Sequence, residues 1–466
     1  MDAHDERPAT PVELGRWLEQ HRDEIGGGAH GIEASDGAGS VNGQAHAGSI
    51  PGHRDRPTTR RHRVTGTNRR RRQGRATPTP PSPMLILATS YALAYKVMRC
   101  AARTGVRPIV VGVPGNPGDP SNDPARFRRS RLCSYVELPV PLSDAEAIPH
   151  LRSIISENHV HRVAPGDSGA TRFLAANRSQ LRGLYPLPDL STFDLLNDKW
   201  SFASLCRSLD VPHPRTWKVE SAAELRSFVE HTDVELIAKP LSSESGAGVM
   251  RVDRTNYAQV TYQPILLQEL IEGHDRCISL ICRDGVPKVS VVYHYENGSF
   301  ITHRDDRIYA LASRIVGALR YDGVINFDVR ETPDGELDFI EANPRFWANV
   351  DKTLVGGDVN FVAEGFAPLA PGDDVVHVPS SVVRTLPAMA RGLLEGHWLS
   401  AADIRYLRFV FAESVVDVMR DGVKRQIEKL RRRRLLAGPR RQPRPAADPP
   451  MRAESTHTST SGRPAA

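Results

Sequence analysis

Two shortages bound this sequence first: it has little cysteine and no long apolar run. No stretch of about 20 consecutive apolar residues occurs, so no membrane-spanning helix is expected. The N-terminus mixes acidic and basic residues and lacks an apolar h-region, so no secretory signal is expected. The five cysteines, Cys100, Cys133, Cys206, Cys277 and Cys282, are scattered and form no CxxC pair. That excludes a recognisable zinc site or disulfide framework and fits a reducing cytoplasm. Cys277 and Cys282 read as core residues. Cofactor signatures are also missing. There is no GxxxxGK[ST], hence no P-loop. The turn after the first apolar strand, Ala88-Thr89-Ser90, has no GxGxxG, which argues against a dinucleotide site. No MKM-type biotin lysine and no RNA- or DNA-reading motif is present.

What is there is enough chain, 466 residues, for two or three domains with real cores. The net charge of +6 is carried mainly by the ends. Residues 1–83 are rich in Gly, Pro, Ser, Thr, His and Arg and read as a disordered basic leader, either a dispensable solvated tail or a translated leader upstream of a start at Met84. The stretch from Asp417 to Arg434 reads as a basic helix, and 435–466 as a second disordered tail. From Met84 the pattern alternates: strand Met84 to Ala88, helix Tyr91 to Arg103, strands Val106 to Val111 and Leu132 to Leu138, then a helix from Pro149 to His159. This predicts a small parallel α/β unit over 84–190. In the loop that follows it, Asp167 reads equally as a substrate ligand or as a helix cap.

The most informative stretch is GVINFDVRETPDGELDFIEANPRF, Gly323 to Phe346. Strand Val324 to Arg330, a turn at Thr332-Pro333-Asp334-Gly335 and strand Glu336 to Ala342 make a hairpin. If Glu331 opposes Glu336, Asp328 lies diagonal to Glu341, and Asp328, Glu341 and Asn343 share one face beside Arg345. Carboxylates that close need a proton or a cation between them, and hard oxygen donors suit Mg²⁺. Upstream, Lys199 opens a helix, where the dipole disfavours a cation. Lys239 ends the strand VELIAK, where a buried lysine needs a partner. The loop Leu241 to Val249 is built of Gly and Ser, leaving amides free to face phosphates. ILLQELIEG, Ile265 to Gly273, is an apolar strand-like run.

In this order, these pieces resemble the ATP-grasp superfamily, over roughly Met84 to Leu369. The resemblance implies a preATP-grasp α/β domain (84–190), a two-subdomain α+β ATP-grasp domain (191–369) and a mainly helical extension (370–434). It implies that Lys199 reaches the nucleotide phosphates and Lys239 the α-phosphate and adenine edge. Ser245, Gly246 and Gly248 would belong to a mobile phosphate lid. Gln268 would accept from the adenine amine, Glu269 and Ile271 would offer backbone groups, and Asp275, or His274 in its place, would hold the ribose. Asp328, Glu341 and Asn343 would bind one or two Mg²⁺, with Mn²⁺ as an alternative ion. Arg345, together with Arg304 or Arg307, would steady the transferring phosphate. The implied enzyme is a carboxylate–amine ligase: ATP phosphorylates a small carboxylate, and an amine displaces the phosphate. The same site could serve a carboxylase or kinase, or a non-catalytic ATP-binding regulator. The expected partners are small-molecule carboxylate and amine substrates, without a specific nucleic acid, and a homodimer is compatible with the resemblance.

Overall fold

The computed structural model describes residues 83–114, 123–243, 246–368 and 374–412. The expected leader (apart from Pro83), the helix expected from Asp417 to Arg434 and the tail from 435 lie outside the described residues. All of β1 (Met84–Ala88) is buried. Successive side chains alternate, so Leu85 and Leu87 join one core with Val111 and Leu174, while Met84, Ile86 and Ala88 join another with Met98 and Phe361. A strand covered on both faces is apolar throughout, as MLILA is. β1 sits inside a parallel sheet of order β3-β2-β1-β4, with β2 (Ile109–Gly112), β3 (Ser134–Glu137) and β4 (Arg162–Pro165). β2 starts later than expected because Pro108 has no N–H to give a ladder. The helices of this unit are α1 (Tyr91–Ala102), α2 (Ala125–Arg129), α3 (Ala147–Glu157) and α4 (Ser168–Ala176).

After α5 (Leu190–Asn197), helix α6 (Lys199–Ser208) begins where Asp198 accepts from the Ser201 N–H at 2.8 Å. Its Phe202, Leu205 and Cys206 fall on one stripe and are buried. β5 (Thr216–Val219), β6 (Leu236–Pro240), β7 (Met250–Val252) and β8 (Ile265–Glu269) form a separate antiparallel sheet of order β5-β8-β6-β7. Helix α7 (Ala222–His231) covers it, capped by Ser221 accepting from the Glu224 N–H. The Glu224 carboxylate accepts from Glu220 N–H, so the reciprocal half of a capping box is displaced by one residue.

The largest sheet has the order β13-β12-β9-β10-β11-β15, with β14 beside β10. Its strands are β9 (His274–Arg283), β10 (Val286–Glu296), β11 (Ser299–His303), β12 (Gly323–Glu331), β13 (Leu337–Asn343), β14 (Val376–His377) and β15 (Ser381–Arg384). One face, with Ile278, Leu280, Val292, Phe327 and Val329, packs on α6 and on α8 (Asp306–Ala318). The other, with Ile281, Val291, Tyr293 and Val324, shares a core with α1, α9 (Val350–Gly357) and α10 (Phe361–Gly365). That shared core fastens the parallel unit to the large sheet. The expected helical extension does contain α11 (Leu386–Leu394) and α12 (Ala401–Val410), but β14 and β15 complete the large sheet. Arg384 of β15 pairs with fully buried Asp403 of α12 at 2.6 Å, locking helix to sheet.

Candidate active site

The hairpin of β12 and β13 brings the candidate carboxylates together, in a register different from the expected one. Asp328 pairs directly with Glu341, and Asn326 with Asn343. Two local features cause the difference. Glu336 belongs to the turn, where its carbonyl accepts from the Thr332 N–H and Gly335 adopts φ 86°. A bulge between Asp328 and Val329 then shifts the ladder. The two carboxylates are therefore direct neighbours rather than diagonal ones.

Around them the structure assembles a dense polar group. Asn343 Nδ2 donates to Asp328 Oδ2 and to Glu341 Oε1, each at 3.3 Å. Arg345 Nη2 donates to Asn343 Oδ1 at 2.9 Å. Lys199 Nζ lies 3.5 Å from Glu341 Oε2 and donates to the Ser243 carbonyl at 2.8 Å. Burial, and then the Glu341 carboxylate, push Asp328 up to about 7. Burial would raise Glu341 too, but Lys199 and the hydrogen bond with Asp328 outweigh it and hold Glu341 low. The pair thus takes up its first proton on Asp328 rather than on Glu341.

This donor set fits Mg²⁺. Two adjacent carboxylates whose joint ionisation is opposed by burial and mutual repulsion are an oxygen site of the kind Mg²⁺ takes, completed by phosphate oxygens and water. Among the described residues no group of three or more His, Cys, Asp or Glu side chains could hold a metal, so two carboxylates are the whole acidic contribution here. Asn343 turns its amide nitrogen, not its oxygen, towards the carboxylates; to serve as the expected ligand its amide must rotate by half a turn and leave Arg345.

The other half of the site comes from the smaller sheet. Lys239 is buried at the end of β6, and its Nζ donates to Gln268 Oε1 at 2.5 Å on neighbouring β8. Burial pushes Lys239 down to about 8, with Lys199 adding to the shift and Glu341 opposing it. Gln268 Nε2 donates to Thr216 Oγ1 at 3.1 Å, so its amide is fixed from both ends. The Glu269 N–H donates to Arg215 and that of Leu270 to Glu235. The N–H groups of Glu269 and Leu270 are thereby taken up beside the small sheet. Gly246 and Gly248 occupy φ 69° and 74° in the loop between β6 and β7, which suits glycine. Ser245 lies outside the described residues. Asp275, mostly exposed, pairs with Arg330 at 3.0 Å.

One expectation changes, and of the two readings of Asp167 the helix cap is the one observed. Arg304 is not on the carboxylate face. It pairs with exposed Asp306 at 2.7 Å and lines a small cavity with Ser290, Val292, Tyr309 and His377. Ser290 and Val292 alternate away from Tyr293, so this cavity opens on the α8 side of the sheet. The cause is the start of α8, capped by Asp305, which turns the chain away from the cleft right after β11. Asp167 is buried and accepts from the N–H groups of Thr89 (2.7 Å), Ser90 (2.8 Å) and Ala170 (3.0 Å). It is a cap that ties the turn after β1 to α4. Residues not anticipated as part of the site are Asn326, Ser279, Cys277 and Tyr293, which share the carboxylate face across β12, β9 and β10. Strand alternation on β9 was the available signal, but without the strand order it could not be used.

With this geometry in place, comparison with known proteins is informative. Residues 196–349 match the ATP-grasp domain family. No curated protein matches the chain. Among solved structures, a carboxyaminoimidazole ribonucleotide synthase from Aspergillus clavatus complexed with ATP aligns at 15% identity and TM-score 0.51, over 65% of this chain and 81% of that one. An N5-carboxyaminoimidazole ribonucleotide synthetase in its ADP complex aligns at 14% identity and TM-score 0.51, over 68% of this chain and 85% of that one. An L-amino acid ligase from Bacillus licheniformis reaches 19% identity at TM-score 0.46, over 62% of this chain and 75% of that one. Identities this low speak to the fold alone.

Proposed function

We propose, from the premise that this chain belongs to the ATP-grasp superfamily, that it is an ATP- and Mg²⁺-dependent enzyme of the ligase and carboxylase type. In this reading a carboxyl oxygen attacks the γ-phosphorus of ATP, ADP leaves, and a nucleophile then displaces phosphate from the acyl phosphate. The observation that carries it is Lys199 Nζ 3.5 Å from Glu341 of the Asp328–Glu341 pair, with buried Lys239 of the smaller sheet near enough for its charge to help hold Glu341 low. Lys199 and Lys239 bind the phosphates and neutralise charge growing on their oxygens. Asp328 and Glu341 hold Mg²⁺, which when bound supplies Lewis-acid stabilisation of the phosphoryl oxygens. Asn343 joins them if its amide turns, and Arg345 then offers to the transferring phosphate the Nη2 donor that it gave Asn343. Gln268, the Glu269 carbonyl and the Ile271 N–H orient the adenine, Asp275 meets the ribose, and Gly246 and Gly248 let backbone amides close over the phosphates. No side-chain nucleophile takes part. Among the described residues no helix is long and apolar enough to cross a membrane.

The acceptor is the finer question. The names of the two structures that superpose at TM-score 0.51 speak of carboxylated products, which favours a carboxylase and makes bicarbonate the first acceptor to try. Small organic carboxylates with amines, the ligase reading, come second. The deciding experiment uses ¹⁸O-labelled bicarbonate, or labelled carboxylates, with ATP and candidate amines. An acyl phosphate carries one labelled oxygen into inorganic phosphate. ADP formation without label in phosphate overturns this chemistry, and phosphate retained on the acceptor indicates a kinase instead.

A further inference from the structure

The cleft face of the large sheet holds a hydrogen-bonded row that ends on one oxygen of Asp328. Asn326 is buried at 3% exposure on β12. Its Oδ1 accepts from Tyr293 Oη of β10 and from Ser279 Oγ of β9, both at 2.8 Å. Two hydroxyl donors on one amide oxygen leave its orientation no freedom, so Nδ2 must point the other way. There it donates to Asp328 Oδ1 at 3.0 Å. Cys277 Sγ, also on β9, donates to the same oxygen at 3.3 Å. Asp328 Oδ1 thus meets two protein donors from behind, whereas Oδ2 faces Asn343 Nδ2 at 3.3 Å, the same nitrogen that donates to Glu341 Oε1. The arrangement exists because the ladder sets Ser279 beside Asn326 and Cys277 beside Asp328, with Tyr293 beside Cys277.

We infer that Asn326 is a positioning residue for the metal carboxylate. Clamped by Tyr293 and Ser279, it fixes the Asp328 carboxylate and presents Oδ2 alone to a divalent cation, making Asp328 a one-oxygen ligand. Groups that orient a ligand from behind commonly change metal affinity by about 10- to 100-fold when removed. The inference rests on the reading that Asp328 and Glu341 hold Mg²⁺, and the experiment separates the two.

The full chain is titrated with Mn²⁺ in the presence of β,γ-methylene-ATP, and free Mn²⁺ is read by electron paramagnetic resonance. Nucleotide binding without metal is measured by calorimetry. Asn326→Ala is expected to weaken Mn²⁺ binding by about 10-fold or more while metal-free nucleotide affinity stays at the wild-type value. Tyr293→Phe keeps the ring against Phe300 and Trp347, removes only one donor, and is expected to weaken Mn²⁺ by a smaller factor. It decides by itself should Asn326→Ala fail to fold. Wild-type Mn²⁺ affinity in a folded Asn326→Ala protein, or in Tyr293→Phe where that variant alone decides, overturns the inference. So does a loss of metal-free nucleotide binding as large as the loss of Mn²⁺ binding, which marks a merely structural role. No high-affinity Mn²⁺ in the wild type, or equal affinity in Asp328→Asn, overturns the metal site itself.

Discussion

Replacing Glu341 by Gln keeps shape and removes one charge at the centre of the site. Three consequences follow from the geometry. Lys199 loses an ionic partner 3.5 Å away, an attraction of roughly 5 kcal/mol at an effective dielectric near 20 before desolvation is counted. Asp328 loses the adjacent charge that, after burial, does most to raise it, so it ionises more readily. The oxygen site is left short of one anionic ligand. For folding, the first two effects oppose each other, so stability should change by no more than about 1 kcal/mol, the scale of an ordinary substitution. For phosphoryl transfer nothing compensates, because the transition state gathers charge on oxygens that the ion and Lys199 must meet together. A fall of at least about 100-fold, roughly 2.7 kcal/mol, is expected. The assay is ADP formation against Mg²⁺ concentration for wild type and Glu341→Gln, with the acceptor found in the labelling experiment and with thermal unfolding alongside. Equal rates with equal Mg²⁺ dependence would refute the assignment of Glu341. A large loss of stability accompanying the loss of rate would refute the argument that the two effects on folding cancel.

The Lys239 ammonium, pushed down to about 8 by burial, should lose its charge within an accessible range, so affinity for an ATP analogue should fall as pH rises from 7 to about 9. The same shift makes the free protein gain stability from this group as pH rises from about 8 towards the unfolded value near 10.5, since only the unfolded chain is protonated there. Lys239→Met should bind the analogue weakly with a flat profile; calorimetry at several pH values checks both, and a wild-type profile as flat as the variant's contradicts them. Asp167→Ala strands buried N–H donors of Thr89, Ser90 and Ala170 and should cost about 1–3 kcal/mol of stability in denaturant titration, with nucleotide affinity unchanged. Arg304→Ala, on the far side of the sheet, should leave steady-state ADP formation within about twofold of wild type, the range of a surface change; a larger fall would return Arg304 to the phosphate.

The local placement of several candidate residues was legible in the sequence because it depends on local periodicity, while the roles expected of them came from the resemblance to the ATP-grasp superfamily. A buried lysine closing an apolar strand, a lysine at a capped helix start and acids alternating along a hairpin each follow from the period of one element. So does the apolar run of β1, whose neighbours on both faces are implied by its lack of polar residues. What the sequence alone could not decide was anything that needed a second element. The pairing of Asp328 with Glu341 turned on a one-residue bulge and on where the turn ended, and a single-residue slip changes every neighbour in a ladder. Cys277, Ser279, Tyr293 and Asn326 sit on three different strands, so their row exists only once the order β12-β9-β10 is known. The short strands β14 and β15 are ordinary apolar fragments until β10 and β11 offer them edges. Arg304 shows the converse: its sequence position suited a phosphate clamp, but the helix that starts beside it turns it to the opposite face of the sheet. Local pattern chose the side chains that can bind phosphate and metal. The sheet, through strand order and register, decided which of them meet.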